Sequence, residues 1–257
     1  MENLDYCRQL AYTHSFAKPY PYLSSPGSNS RSGDGPVMES EEKMNWVVNT
    51  LKAAIGKKLM MAATGLAFCG FLVVHLIGNL TLYGGKDLFN SYAEHLHSLG
   101  PLVTVFELGL LSLAIVHVLT GLTLFYENWR ARPVGYCVKK SAGGRTIGSA
   151  TMPYTGILLL AFVTFHLINF HFVDKADRTI FEIVASAFAQ PWYVAVYVLA
   201  MIGAGIHVSH GFWSAFQTVG ASHPKYMPLV RSVGLLFSLI VGLGFGAIPI
   251  YVYVVVT

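Results

Sequence analysis

Charge is scarce in this sequence. Asp, Glu, Lys and Arg make up 12% of its 257 residues, while 54% are hydrophobic; a soluble domain carries about 25% charged residues. That deficit excludes an ordinary soluble enzyme and points to a membrane protein. Cysteine is scarce as well: Cys7, Cys69 and Cys137 are scattered, with no CxxC pair. Their scatter excludes a disulfide framework and a cysteine-ligated iron–sulfur cluster. No CxxCH occurs, which excludes covalent c-type attachment of a prosthetic group, and no GxGxxG offers a cradle for a flavin or dinucleotide. The first 44 residues lack an apolar core of signal-peptide length, so no cleaved secretory signal is expected. The net charge of +4 is small, and no nucleic-acid partner is expected.

The chain divides in two. Residues 1–44 are polar and rich in Ser, Gly and Pro, and read as a flexible tail. Residues 45–257 carry five apolar stretches, approximately Lys58–Tyr83, Pro101–Tyr126, Pro153–Phe172, Pro191–Phe216 and Leu229–Val256. Each meets the roughly 20 residues that a helix needs to cross a bilayer. Prolines sit at or near the starts of the second, third and fourth, where a missing N–H costs nothing. Tyr83, Tyr126, Trp129, Tyr154, Trp192, Tyr193, Tyr226, Tyr251 and Tyr253 mark the ends as an interfacial belt. The expected fold is an all-α membrane protein with a four-helix bundle (helices I–IV) and a fifth helix beside it. Lys52, Lys57, Lys58, Arg130, Arg132, Lys139, Lys140, Arg145, Lys225 and Arg231 fall on one side, against Lys86, Lys175 and Arg178 on the other. The excess predicts a cytoplasmic N-terminus. No internal repeat of 20–50 residues is visible.

Each of the first four stretches holds one histidine deep in an apolar run: His75, His117, His166 and His207. An ionisable group in a span marks function by default. With alternating helix directions, His75 and His166 share a level near the outer face, and His117 and His207 share a deeper one. Eight residues at ~1.5 Å rise put the levels roughly 12 Å apart. Two histidines at one depth on facing helices can ligate one haem iron. Gly70, Gly78, Gly121, Gly156, Gly203, Gly205 and Gly211 would leave room for a porphyrin. A proton relay or a non-haem metal site is the alternative, and neither readily accounts for two pairs with no intramembrane carboxylate beside them.

Three stretches carry a family likeness: HVSHGFWSAFQTVG from His207, NSYAEHLHSLGP from Asn90 and NWRARPVGY from Asn128. Over about residues 46–257 the chain resembles the single-subunit, five-helix, dihaem cytochrome b anchor of succinate:quinone and quinol:fumarate oxidoreductases. The resemblance implies two b-type haems, with His75 and His166 holding the distal one and His117 and His207 the proximal one. It implies an FAD-containing flavoprotein and an iron–sulfur partner on the cytoplasmic face, membrane quinone (menaquinone by the same likeness), lipid contact, a dimer of the whole complex, and a bacterial inner-membrane location. One departure stands out: Gly205 occupies the position where some fumarate-reducing members carry a glutamate proposed to conduct protons. A quinol-oxidising dihaem subunit of another respiratory complex is the rival, and a haem-free transporter a second.

Quinone chemistry moves protons with electrons, so it calls for a carboxylate or imidazole at the quinone. Glu94 and His97, in the turn between helices I and II, are the first candidates. Glu107, inside the outer part of helix II, is a further one. His210, one turn from His207, is a candidate for a haem propionate or for the ligand in place of His207, and Arg130 and Arg145 at the cytoplasmic end are candidates for propionates.

Overall fold

The computed structural model describes residues 45, 46, 48–131 and 146–257. The tail expected to be flexible (1–44) and Arg132, Lys139, Lys140 and Arg145 lie outside the described residues, so the propionate role expected of Arg145 has no structural counterpart here. From Ala54 onward the described residues form these helices in order: α1 (Ala54–Leu80), α2 (Lys86–Ser98), α3 (Pro101–Arg130), α4 (Ile147–His166), α5 (Ile180–Phe188), α6 (Pro191–Thr218) and α7 (Met227–Tyr251). A 3-10 turn at Thr81–Gly84 extends α1, and π-turns at Leu167–His171 and Val252–Val256 extend α4 and α7. With these extensions, α1, α3, α4, α6 and α7 are, among the described residues, the five helices long and apolar enough to span a membrane.

Local signals set most boundaries. Gly100 (φ +54°) turns the chain, and Pro101 then opens α3; only glycine takes that conformation freely. Pro191 opens α6 in the same way. The third span differs from expectation. It starts at Ile147, because Thr146 accepts from Ser149 N–H and Ser149 Oγ accepts from Thr146 N–H, a capping box that starts the helix early. Pro153 therefore lies inside α4 and not at its start.

The segments between the first and second and between the third and fourth spans are helices, not simple turns. Each is amphipathic and buries aromatic or branched side chains: Phe89 in α2, Ile183 and Phe188 in α5. α2 and α5 meet across one end of the bundle. Lys86 Nζ donates to Glu182 Oε1 at 2.8 Å, and Asn90 Oδ1 accepts from Phe181 N–H at 3.1 Å. The Lys86 ammonium and the Thr179 N–H and hydroxyl push the Glu182 carboxyl down to about 2 from its ordinary 4.5. A carboxylate lowered on folding stabilises the fold fully above its unfolded pKa and loses that contribution as pH falls through the folded one. Amide hydrogen-exchange protection in α5, taken relative to the intrinsic exchange rate at each pH, should therefore fall between about pH 4.5 and pH 2, and Glu182→Gln should remove that loss.

The spans form a square. α1 packs on α3 and α6, and α4 packs on α6 and lies along α3, so α1 faces α4 and α3 faces α6 across the diagonals. α7 lies outside the square against α6 and α1. The seam between α3 and α4 has no such cover, and α3 buries only Thr120. The square is a duplication. M-x2-T-G-x5-F-x3-H-L-I occurs at Met61–Ile77 and again at Met152–Ile168, 91 positions later. Pro101, Ala114, His117, Val118 and Gly121 recur as Pro191, Ala204, His207, Val208 and Gly211, 90 positions later. Thus α1–α2–α3 and α4–α5–α6 are two copies of one unit, each with an amphipathic helix as connector. The step exceeds the 20–50-residue range in which no repeat is visible.

Candidate functional site: two facing histidine pairs

The diagonals bring the four span histidines together in pairs. The imidazole centroids of His75 (α1) and His166 (α4) are 5.9 Å apart. Those of His117 (α3) and His207 (α6) are 6.5 Å apart. Two imidazoles on opposite sides of one metal ion, with bonds of about 2 Å each, have ring centres about 6 Å apart. Both pairs match that span. Among the described residues no group of three or more His, Cys, Asp or Glu is arranged to hold a metal ion. Each pair offers two imidazoles and no third protein donor among the described residues, an arrangement that suits a metal whose other positions are filled by a macrocycle.

Each imidazole is oriented by a neighbour. Thr64 Oγ1 on α1 lies 2.9 Å from His117 Nδ1, and Thr155 Oγ1 on α4 lies 3.1 Å from His207 Nδ1. Tyr197 Oη on α6 lies 3.2 Å from His166 Nδ1. Asn79 Nδ2 donates to the His75 carbonyl at 2.8 Å and lies 3.5 Å from both nitrogens of that ring. Phe71 stacks on His75 with centroids 5.1 Å apart, and Phe162 packs on His166 at 5.9 Å. Thr64 stands 11 residues before His75, and Thr155 stands 11 before His166. The two layers are thus separated along the helices by about 16 Å at 1.5 Å per residue, more than the helix ends alone suggest.

The glycines divide by role. A Cβ on Gly156 would stand 3.6 Å from His207 Cε1, and one on Gly70 would meet nothing within 4 Å. Gly65, which composition did not single out, faces His117 Cε1 at 3.5 Å. Gly121 and Gly211 sit at equivalent places against Met61 and Met152. Three others do not leave room as expected. Gly78 is covered by the Tyr92 ring of α2, Gly203 by Leu158, and Gly205 by the backbone of α7 at Ser238 and Gly242. Protein already fills those places.

The remaining candidates scatter. Glu94 and His97 lie exposed on α2, and His97 Nδ1–H donates to its own helix at the Ala93 carbonyl (2.7 Å). Glu107 on α3 instead meets a residue that the pattern of spans did not mark. His171, the last residue of the π-turn on α4, places Nδ1 3.7 Å from Glu107 Oε1, and both side chains are about half exposed. The pair bridges the uncovered α3–α4 seam at the level just beyond His166. At the other end His210 Nδ1 is buried with no partner, beside Trp213 (ring centroids 4.9 Å), on which Arg231 stacks at 4.8 Å. Arg130 closes α3, exposed, 13 residues or about 20 Å of helix beyond His117. Lys57 and Glu127 pair across α1 and α3 near that end. Thr64, Thr155, Tyr197 and His171 were not anticipated as site residues. The first two were accessible through the 91-residue repeat, which carries T-G along with the histidine.

No protein-family model matches the chain, and no solved structure matches it. Among curated proteins, the succinate dehydrogenase cytochrome b558 subunit of Bacillus subtilis is 25% identical over 156 residues, covering 58% of this chain and 72% of that protein. The chain is therefore a five-span helical protein similar to a cytochrome b subunit of succinate dehydrogenase, in agreement with the likeness carried by its motifs.

Proposed function

We propose that the chain is the membrane-anchor cytochrome b subunit of a succinate dehydrogenase or fumarate reductase, carrying electrons between an iron–sulfur partner and membrane quinone with two bis-histidine b-type haems. The observation that carries this reading is the pair of imidazole separations, 5.9 and 6.5 Å, on the two diagonals of one bundle. His75 and His166 would hold one haem and His117 and His207 the other, each supplying one-electron chemistry at iron. Residues of this chain bind and orient; dicarboxylate chemistry belongs to a flavoprotein partner. The cationic end holding Lys57 and Arg130 is the cytoplasmic, partner-docking end by the charge rule. The complex would lie in a bacterial inner membrane.

The quinone, menaquinone by resemblance, would react at the opposite end, near His75 and His166. Glu107 and His171 bridge the uncovered α3–α4 seam there, where a lipid-soluble molecule can approach sideways, and a carboxylate with an imidazole can give or take the quinone's protons. Glu94 and His97 remain the loop-side candidates. Glu107→Gln should lower quinone-dependent turnover by about 10²-fold, the usual worth of a positioned acid or base, while both haems stay. Glu94→Gln run in parallel assigns the role to one carboxylate or the other. The reading as a whole is tested by a reduced-minus-oxidised spectrum and haem stoichiometry of the purified chain. Two b-type haems per chain and co-purification with a flavoprotein support it. No b-type band, or a molybdenum or nickel partner in place of the flavoprotein, overturns it.

A further inference from the structure

Thr64 and Thr155 occupy the same position in the two copies of the repeated unit, and both are buried. A threonine hydroxyl has one hydrogen to donate. In Thr64 that hydrogen goes to the Met60 carbonyl, 2.7 Å away. In Thr155 it goes to the carbonyl of Thr151 (3.1 Å) or Met152 (3.2 Å). With its hydrogen on the carbonyl, each hydroxyl meets the imidazole with a lone pair, and this arrangement assigns the donor role to the ring nitrogen opposite. In that arrangement His117 and His207 carry the proton on Nδ1, and in each ring Nε2 keeps the free lone pair that a metal needs.

We propose that Thr64 and Thr155 are positioning residues. Each fixes the tautomer and the ring angle of the histidine on the neighbouring helix, presents its Nε2 to the iron, and raises the basicity of that imidazole. The inference rests on the haem reading above and goes beyond it in two respects. It assigns to α1 and α4, whose own histidines form the other pair, a role in the His117–His207 layer. It also predicts that two residues from different helices tune one and the same haem.

A more basic axial imidazole favours the ferric state, so loss of the acceptor raises the potential. The experiment is an optical redox titration of the full-length, haem-loaded wild-type protein, Thr64→Val, Thr155→Val, the double variant and the corresponding Ser variants. In each Val variant the potential of the haem that His117→Ala removes should rise by about 59 mV for one electron, a roughly tenfold fall in its ferric-over-ferrous preference. The shifts should add in the double variant, and the second haem should keep its wild-type potential. Ser should restore the wild-type value, because it keeps the hydroxyl and loses only a methyl. Loss of that haem in a Val variant with retention in its Ser counterpart supports the same assignment. Unchanged potentials in the Val variants, shifts in the other haem, or Ser variants that behave like Val overturn the positioning role while the haem reading stands. Absence of haem from the wild-type protein overturns both.

Discussion

His117→Ala and His207→Ala should each remove the same single haem and leave the other in place. His75→Ala and His166→Ala should remove the complementary one. The expected change is large: haem content per chain falls from two to one, read as pyridine haemochrome against protein. Even removal of a residue that merely supports a metal ligand typically costs 10–100-fold in affinity, and on the proposed reading the ligand itself is lost from a site with two protein donors. The pairing gives the prediction its form. Centroids at 5.9 Å and 6.5 Å join α1 to α4 and α3 to α6, whereas the neighbouring helices α1 and α3 meet near these layers through Thr64 and His117. If His75→Ala and His117→Ala removed the same haem, the diagonal arrangement would be wrong.

The second large effect is expected at Gly205. A Cβ there would lie 3.4 Å from Ser238 O and 3.8 Å from Gly242 Cα, and one on Gly242 would lie 3.4 Å from Met201 O. The two helix backbones are therefore in near contact. Gly205→Ala should cost less than about 1.5 kcal/mol, since only a methyl enters at van der Waals distance. Gly205→Glu must force α7 off α6, costing about 1–3 kcal/mol in overpacking, and must bury a carboxylate with no partner, which adds several more. The variant should lose most folded yield in detergent, with a thermal midpoint far below that of Gly205→Ala. A Glu variant as stable as the Ala variant would show that α7 is not held there. The same contact explains why a proton route through a glutamate at this position has no place in this chain.

Much of this was legible from sequence because bilayer physics is severe. Long apolar runs admit few structures, so the five spans followed from composition and length. The histidine pairs followed from depth, because helix rise is constant. The missed features share a different physics. α2 is short and mixed in polarity and α5 is only nine residues long, so neither stands out; Phe89 and Phe188 join one core at the bundle end, and Ile183 is buried beside them in α5. Pro153 misled because the capping box at Thr146 outweighs a proline seven residues into the helix. Glycine alone does not reveal its neighbour: Gly156 faces an imidazole, while Gly78 faces Tyr92. Thr64, Thr155 and His171 carry no mark in hydropathy; the 91-residue repeat flags the two threonines, but their partners come from the packing of helices distant in sequence.

The duplicated unit has two spans, an even number, so both copies enter and leave the bilayer on the same side. α1 and α4 consequently point the same way, and the axis that exchanges the halves runs along the membrane normal, not within its plane. A single two-span hairpin of this kind, inserted in one orientation, would already bring all four histidines together by associating with a second copy of itself. Fusing two such hairpins into one chain needs no inversion and no new topology signal, and α7 stands outside the duplication as a span without a counterpart in it.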